Sequence, residues 1–400
     1  MTPLSQNANM PDIGKNSLER IKSVDVLRGI IMVIMALDHT RDYFSNLHHD
    51  PLDFNYANAF YFFTRWITHF CAPVFVFLSG TSAYLSIGRG KSKKQAARML
   101  FTRGLMLILF ELTIIRLGWA FNFDYHAIFV QVIWALGWCM IFLSAMIFLP
   151  LPVIAGVGLL LIFGANAFDS VHSDSFSVPL AWDFLHQADA VFLFNHSVRL
   201  FILYPVIPWA GVMMVGYCLG HIMQMPVQQR NKRFFMIGSS AILLFLILRG
   251  INIYGDPRPW VIQDSGLHTF LDFIKCQKYP PSLLYLLMTL GPAIAVLPLL
   301  GKINGRISNF FCVYGRVPLF YYILHIYLIH AVQVIIGLSM GYPLHIFTDT
   351  GSMFDPKLVW GFSLGWVYLI WISVVLILYY PCRWYMRIKM KHKRWWLSYL

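Results

Sequence analysis

Charge is the scarcest resource in this 400-residue chain: 12% of its residues are charged and 58% are hydrophobic. Its mean hydropathy is +0.61. A soluble chain of this size needs a charged surface to cover its cores, and there is too little charge here to coat one. Cysteine is sparse too. Cys71, Cys139, Cys218, Cys276, Cys312 and Cys382 are scattered singly, without the CxxC spacing of a metal site or the dense pairing of a secreted disulfide scaffold; packing is their default role. No small-residue cleavage site follows Lys15, Arg20 and Lys22, so the first helix is expected to be retained. No internal repeat is visible, which weakens an inverted-repeat transporter reading.

What the chain does have is apolar runs of about twenty residues, the length needed to cross a bilayer. The formal net charge of +13 does not point to nucleic acid, because the cations sit in short clusters between apolar runs, where membrane orientation explains them. Hydropathy predicts an all-α, polytopic membrane bundle of about ten transmembrane helices, at 23-44, 57-87, 99-118, 128-148, 152-168, 199-224, 234-254, 282-300, 310-337 and 359-380. With both termini on the cytoplasmic side, every dense Lys/Arg cluster falls inside, including 89-103, 228-233 and 383-396. The opposite loops hold only Arg258, Lys275, Lys278 and Lys357. The expected organisation is a cytoplasmic N-terminal tail (1-20), one membrane domain (21-380) and a basic cytoplasmic tail (381-400). The outer loop 169-198, acidic and aromatic, is expected to shape a vestibule, and the Gly/Pro punctuation of 254-281 argues against a continuous helix there.

The first span, "SVDVLRGIIMVIMALDHTRDYF" (23-44), is mostly greasy yet keeps six ionisable groups. At 100° per residue, positions 25, 28, 32, 35, 39 and 42 share one stripe, so Asp25, Arg28, His39 and Asp42 line up with Met32 and Met35 between them. Arg28 and His39 are about 16 Å apart along the axis. Charges in hydrocarbon are costly and normally face a wet cavity, so the stripe is expected to line one. The plain alternative is an i, i+3 ion pair of Asp25 with Arg28 and a snorkelling His39. His39 has Asp38, Asp42, His48 and His49 close by in sequence, an arrangement suited to a general base. Metal binding at His48, His49, Asp50 and Asp53 is a weaker reading, since no spacing fixes a geometry, and no metal is expected. In the second span Arg65 and His69 lie four residues apart on one face, where Arg65 either holds an anion or pairs with Asp38, Asp42 or Glu111. Late in the chain, "YGRVPLFYYILHIYLIH" (314-330) brings Arg316, His325 and His330; a lone membrane His is more often packed than catalytic. "KYPPSLLYLLMTLGP" (278-292) reads as a rigid helix start at an outer mouth marked by Lys278 and Tyr279.

Together "SVDVLRGIIMVIMALDH", "FVFLSGTSAYLS", "KYPPSLLYLLMTLGP" and "GRVPLFYYILHIYLIH" resemble the heparan-alpha-glucosaminide N-acetyltransferase family, in particular its bacterial branch, over residues 20 to about 380. The resemblance implies acyl transfer from cytoplasmic acetyl-CoA, through a helical bundle, to an amine or hydroxyl of a sugar or glycan acceptor on the far side of a bacterial inner membrane. In the lysosomal enzyme an Asn is followed eleven residues on by the catalytic His. Laid on this chain without gaps, the Asn position meets His39 and the His position meets Asp50, with His49 one residue away. Arg28 followed by His39 is similar to the Arg-to-His spacing of other membrane acyltransferases, which favours His39. The catalytic candidates are thus His39, Asp38, Asp42 and His49. Arg28 with Asp25, Arg65, His69, Arg316 and His325 forms the candidate set for holding acetyl-CoA. Expected partners are acetyl-CoA, the glycan acceptor and membrane lipid; a homodimer is left open. The rival from another class is a multi-pass transporter using the same intramembrane polar residues as an ion pathway.

Overall fold

The structure, a computed structural model, describes residues 13-87, 92-176, 178-193, 197-349 and 360-392. Most of the expected N-terminal tail and the end of the basic tail, 393-400, lie outside the described residues. The chain is mostly helical. In order, its helices are α1 (Ile13–Phe44), α2 (Ala59–Thr68), α3 (Cys71–Ile87), α4 (Lys93–Phe110), α5 (Arg116–Ala120), α6 (Val132–Met146), α7 (Leu151–Gly164), α8 (Pro179–Leu185), α9 (Val206–Ile222), α10 (Val227–Ile251), α11 (Gly266–Ile274), α12 (Leu283–Leu300), α13 (Arg306–Arg316), α14 (Pro318–Ser339), α15 (His345–Thr348) and α16 (Leu364–Lys391). A π-helical turn, Glu111–Ile115, joins α4 to α5.

Among the described residues, six segments are long and apolar enough to cross a bilayer: Ala59–Ile87, Leu151–Phe168, Val227–Ile251, Leu283–Leu300, Pro318–Ser339 and Leu364–Lys391. They fit an integral membrane protein. The other expected spans differ for physical reasons. Segments 23-44 and 99-118 fall on α1 and on α4 with α5, helices that carry too many charges to qualify by composition. Segments 128-148 and 199-224 begin as strands, leaving α6 and α9 as shorter apolar helices.

Those strands add a small sheet to a chain that is otherwise mostly helical, as expected. β1 (Ala127–Val130), β2 (Ala190–Leu193) and β3 (Val198–Ile202) form a small sheet in the order β1-β3-β2, with β3 parallel to β1 and antiparallel to β2. Phe129 pairs with Phe201 across it, the rings stacked 4.3 Å apart. Short β-branched and aromatic runs at the ends of apolar segments are absorbed into a hydropathy window, so only the pairing reveals them.

Proline breaks two further spans. The 57-87 run divides after Thr68, because Pro73 has no N–H for the carbonyl of His69; the Tyr285 hydroxyl donates to that carbonyl instead, at 2.8 Å. The 310-337 run divides at Val317, whose backbone (φ −131°, ψ 50°) is driven out of the helical region by Pro318, leaving α13 and α14 as separate helices. Pro280 and Pro281 precede the N-cap Ser282 rather than occupying the first turn of α12.

The buried centre is α1, which packs against α13, α14, α16, α12, α3 and α2. Glycine permits its closest approach: a Cβ on Gly315 of α13 would fall 1.9 Å from the carbonyl oxygen of Asp25. Glycine does the same for α3 against α9, where Gly80 abuts the Met213 carbonyl and Gly216 the Phe77 carbonyl.

Candidate functional site

Consecutive helical residues point about 100° apart, so Asp38 and His39 of α1 face different neighbours. His39 turns to α14, where its Nδ1 lies 2.7 Å from Nε2 of His325. The two rings are nearly coplanar, 5° apart with centroids 4.9 Å distant, which makes the contact an edge-to-edge hydrogen bond rather than a stack. The tautomers follow from the end of the chain. Nδ1 of His325 is 2.9 Å from the Tyr321 carbonyl, which can only accept, so that nitrogen carries the proton. Neutral His325 therefore presents Nε2 as an acceptor, and Nδ1–H of His39 donates to it. The remaining nitrogen of His39, Nε2, keeps its lone pair and hydrogen-bonds no described residue. Trp119 and Tyr322 pack edge-on around the imidazole, at 4.8 and 5.9 Å between ring centroids. His330, five residues beyond His325, has a different role: its nitrogens face the carbonyls of Gly118 and Phe347, both at 2.8 Å, and whichever carries the proton ties α14 to a neighbouring segment.

Asp38 turns instead to α2. Nη1 of Arg65 donates to both its oxygens at 2.8 Å, Nη2 of Arg41 lies 2.8 Å away, and the Thr68 hydroxyl donates at 2.8 Å. This carboxylate is saturated and serves as the anchor of a buried cation cluster. Asp42 shares Arg41 at 2.6 Å but lies exposed at the end of the helix.

Two cavities flank this centre. One, of about 640 Å³, opens beside the first half of α1 and is lined by Asp25, Arg28, Ser82, Arg103, Arg316 and Lys389, with Phe75, Leu107, Leu136 and Met140 deeper in. Asp25 holds Arg316 at 3.0 Å and Arg28 at 3.7 Å, so the i, i+3 pair of the plain reading does form. Arg28 also donates to Ser82 Oγ (2.6 Å) and the Gly315 carbonyl (3.0 Å), which fixes its guanidinium at the cavity wall. The other cavity, of about 500 Å³, lies where Asp38's partner Arg65 and His69 meet the loop after α10, and includes Arg258, Lys275, Lys278 and Tyr279.

The residues singled out in the sequence thus separate into groups. Asp25, Arg28 and Arg316 meet at the first cavity; His39 meets His325; Arg65, held by Asp38, and His69 line the second. The stripe of α1 lines no single cavity, because Met32 and Met35 are packed in the core between its ends. His49 is exposed and stacks on Tyr56 at 3.8 Å, apart from His39. The weaker metal set disperses: His48 Nε2 contacts the Trp360 carbonyl, while Asp50 and Asp53 accept from nearby backbone N–H groups. Sequence reasoning missed Arg103, Lys389, Trp119, Tyr322 and Arg41 as neighbours of these centres. Lys389 carried a signal, since it belongs to the basic tail segment that α16 carries back to the first cavity.

The family model described as "Heparan-alpha-glucosaminide N-acetyltransferase, catalytic" matches residues 20–254, more than half of the 400 residues. The chain belongs to this family. The family match runs from α1 through α10 and so takes in Arg28, Asp38, His39, Arg65 and His69; Lys278, Arg316 and His325 lie beyond it. The curated proteins include no match to the chain.

Proposed function

We propose that this member of the family is a membrane-embedded acetyltransferase that moves an acetyl group from cytoplasmic acetyl-CoA to an amine or hydroxyl of a sugar on the other side of a bacterial cytoplasmic membrane. The observation that carries the reading is the free lone pair of His39 Nε2, backed by the His39–His325–Tyr321 hydrogen-bond chain. It lies on α1 about three turns beyond Arg28, which lines the first cavity, and one residue after Asp38, whose partner Arg65 lines the second. An acceptor must lose a proton as it attacks a thioester, so a base is needed where acceptor and acetyl group meet. The acceptor nitrogen or oxygen bonds to the acetyl carbon, the C–S bond breaks, His39 Nε2 takes the acceptor's proton, and the thiolate of coenzyme A leaves. Arg28, Arg103, Arg316 and Lys389 supply four cations at the first cavity for the phosphates of coenzyme A, and the apolar depth of that cavity suits the pantetheine arm. Both termini are placed in the cytoplasm by this reading, because the Lys/Arg clusters share that side. The test is release of coenzyme A from acetyl-CoA by the purified full chain in detergent, with mass spectrometry of envelope glycans from cells with and without the protein. Acetylated glycan that depends on the protein supports the reading. Acetyl-CoA neither bound nor consumed, together with ion flux in proteoliposomes, replaces it with the transporter.

A further inference from the structure

The cavity beyond Asp38 is built around cations that the protein itself leaves without a counter-ion. Arg249, fully buried, donates to the carbonyls of Phe273 (2.8 Å), Arg258 (3.0 Å), Asp272 (3.0 Å) and Lys275 (2.7 Å), and so clamps both limbs of the 254-281 loop around one guanidinium. The clamped loop delivers Lys278, whose side chain faces the cavity although the residue is only 8% exposed. No ion pair and no hydrogen bond to a described residue engages its ammonium; its one close partner is the face of the Tyr279 ring, 5.1 Å away. Asp38, which makes no ion pair with Lys278, is already held by Arg65, Arg41 and Thr68.

An ammonium held at a cavity wall with no paired anion is placed to take its partner from an anionic group that enters the cavity. Further features converge on the same space. Nδ1 of His69 is buried there without a hydrogen-bond partner. Arg258 reaches the exposed rim with no side-chain contact to an acid. The acids in the lining, Asp50 and Asp272, each accept a backbone N–H, from Leu52 at 3.0 Å and Val261 at 2.9 Å. At about 500 Å³ the space falls within the ordinary range of small-molecule sites.

We propose that this cavity is an anion-recognising acceptor subsite: Lys278, with Arg258 at the rim, holds a carboxylate or phosphate group on the sugar that is to be acetylated. The identification of the occupant as the acceptor rests on the acetyltransferase reading; the anion preference of the cavity does not.

Binding of glucose 6-phosphate, glucuronic acid and glucose to the full chain in neutral detergent, without acetyl-CoA, separates the two because charge is the variable and no turnover is involved. The anionic sugars should bind about ten- to a hundred-fold more tightly than glucose, the ratio expected of a charge-assisted contact. Lys278→Met should abolish that preference and Arg258→Gln, on the exposed rim, should reduce it, both with unchanged affinity for acetyl-CoA at the other cavity. Equal binding of the three sugars, or a preference that survives in both variants, overturns the proposal. Phosphatidylglycerol displacing the sugar phosphate at stoichiometric concentration would assign the subsite to a lipid headgroup and overturn the sugar as its source. An anion preference in a chain that never consumes acetyl-CoA would sink the enzyme reading and leave the anion site standing. Transfer to anionic and neutral sugars at equal rates, in wild type and Lys278→Met alike, would do the reverse.

Discussion

Replacing His325 with leucine should slow acetyl transfer without touching the acceptor or the donor cavity, because His325 acts only through His39. The 2.7 Å hydrogen bond from His39 Nδ1 fixes which nitrogen is left to take a proton. In the leucine variant that N–H is buried without a partner, or the proton migrates to Nε2 and the base faces the wrong way. The loss of a buried donor's partner costs about 1-3 kcal/mol, and each 1.36 kcal/mol in the barrier is tenfold in rate, so kcat should fall about 5- to 150-fold. His325→Gln, whose side-chain oxygen can accept the same N–H, should recover much of that loss. His39→Ala should cost about 100- to 10,000-fold, the usual contribution of a positioned base. The decisive measurement is the double variant. If His325 only orients His39, removing both should be no worse than His39→Ala alone, a non-additivity that independent roles cannot produce. Coenzyme A release is followed with a thiol reagent in the presence of an envelope glycan pool, with acetyl-CoA binding as the check on folding. A double variant slower than His39→Ala by the full His325→Leu factor, or a His325→Leu enzyme as fast as wild type, refutes the relay. His49→Ala is the accompanying control: loss of activity there with His39→Ala unaffected moves the base to His49.

Three further outcomes are expected. Arg28→Ala should weaken acetyl-CoA binding by a charge-assisted contact worth about 1.5-3 kcal/mol, read by calorimetry; unchanged affinity moves the donor site elsewhere. Gly315→Val should lower thermal stability by at least about 1-3 kcal/mol, since a Cβ there meets the Asp25 carbonyl oxygen at 1.9 Å, whereas Gly156→Ala, with nothing within 4 Å, should not destabilise; equal melting temperatures for the two would contradict the α1–α13 contact. Topology reporters fused at residues 185 and 400 should read out on opposite sides of the membrane, and the same side for both would sink the proposed orientation.

How far the sequence reaches depends on the range of the interaction. Helical periodicity along α1 anticipates that Asp25 and Arg28 meet, because i and i+3 are neighbours on any helix, and the structure places them 3.7 Å apart. The sequence also offers Asp38 among the partners of Arg65, a pair separated by the end of α1 and the loop that leads into α2. Periodicity says nothing about His39 and His325, which lie 286 residues apart and meet through the packing of α14, which follows α13, the helix that Gly29 and Gly315 let close on α1. The "KYPP" block shows the same limit: its prolines mark a chain reversal, yet the isolation of the Lys278 ammonium depends on Arg249 gathering four distant carbonyls. The breaks before Cys71 and at Val317 were written as Pro73 and Pro318, but each proline sits inside an apolar run, and hydropathy averages over it.

The neighbouring carboxylate is the instructive case. Asp38 precedes His39, and sequence proximity suggests a His–carboxylate pair. Adjacent helical residues diverge by about 100°, so only one of them can face α14. Asp38 takes the α2 side, where two guanidinium groups and a hydroxyl occupy its oxygens, and the imidazole receives a second imidazole as its partner. The division has a chemical consequence. A carboxylate on Nδ1 would hold a full negative charge against His39 throughout turnover and favour a persistent imidazolium. A neutral imidazole fixes the tautomer without supplying that charge, so the proton taken from the acceptor is held less firmly and is more readily passed to the departing thiolate. In the proposed reaction the base must release its proton before the next acceptor arrives, and the His39–His325 pair leaves it no carboxylate partner to hold that proton back.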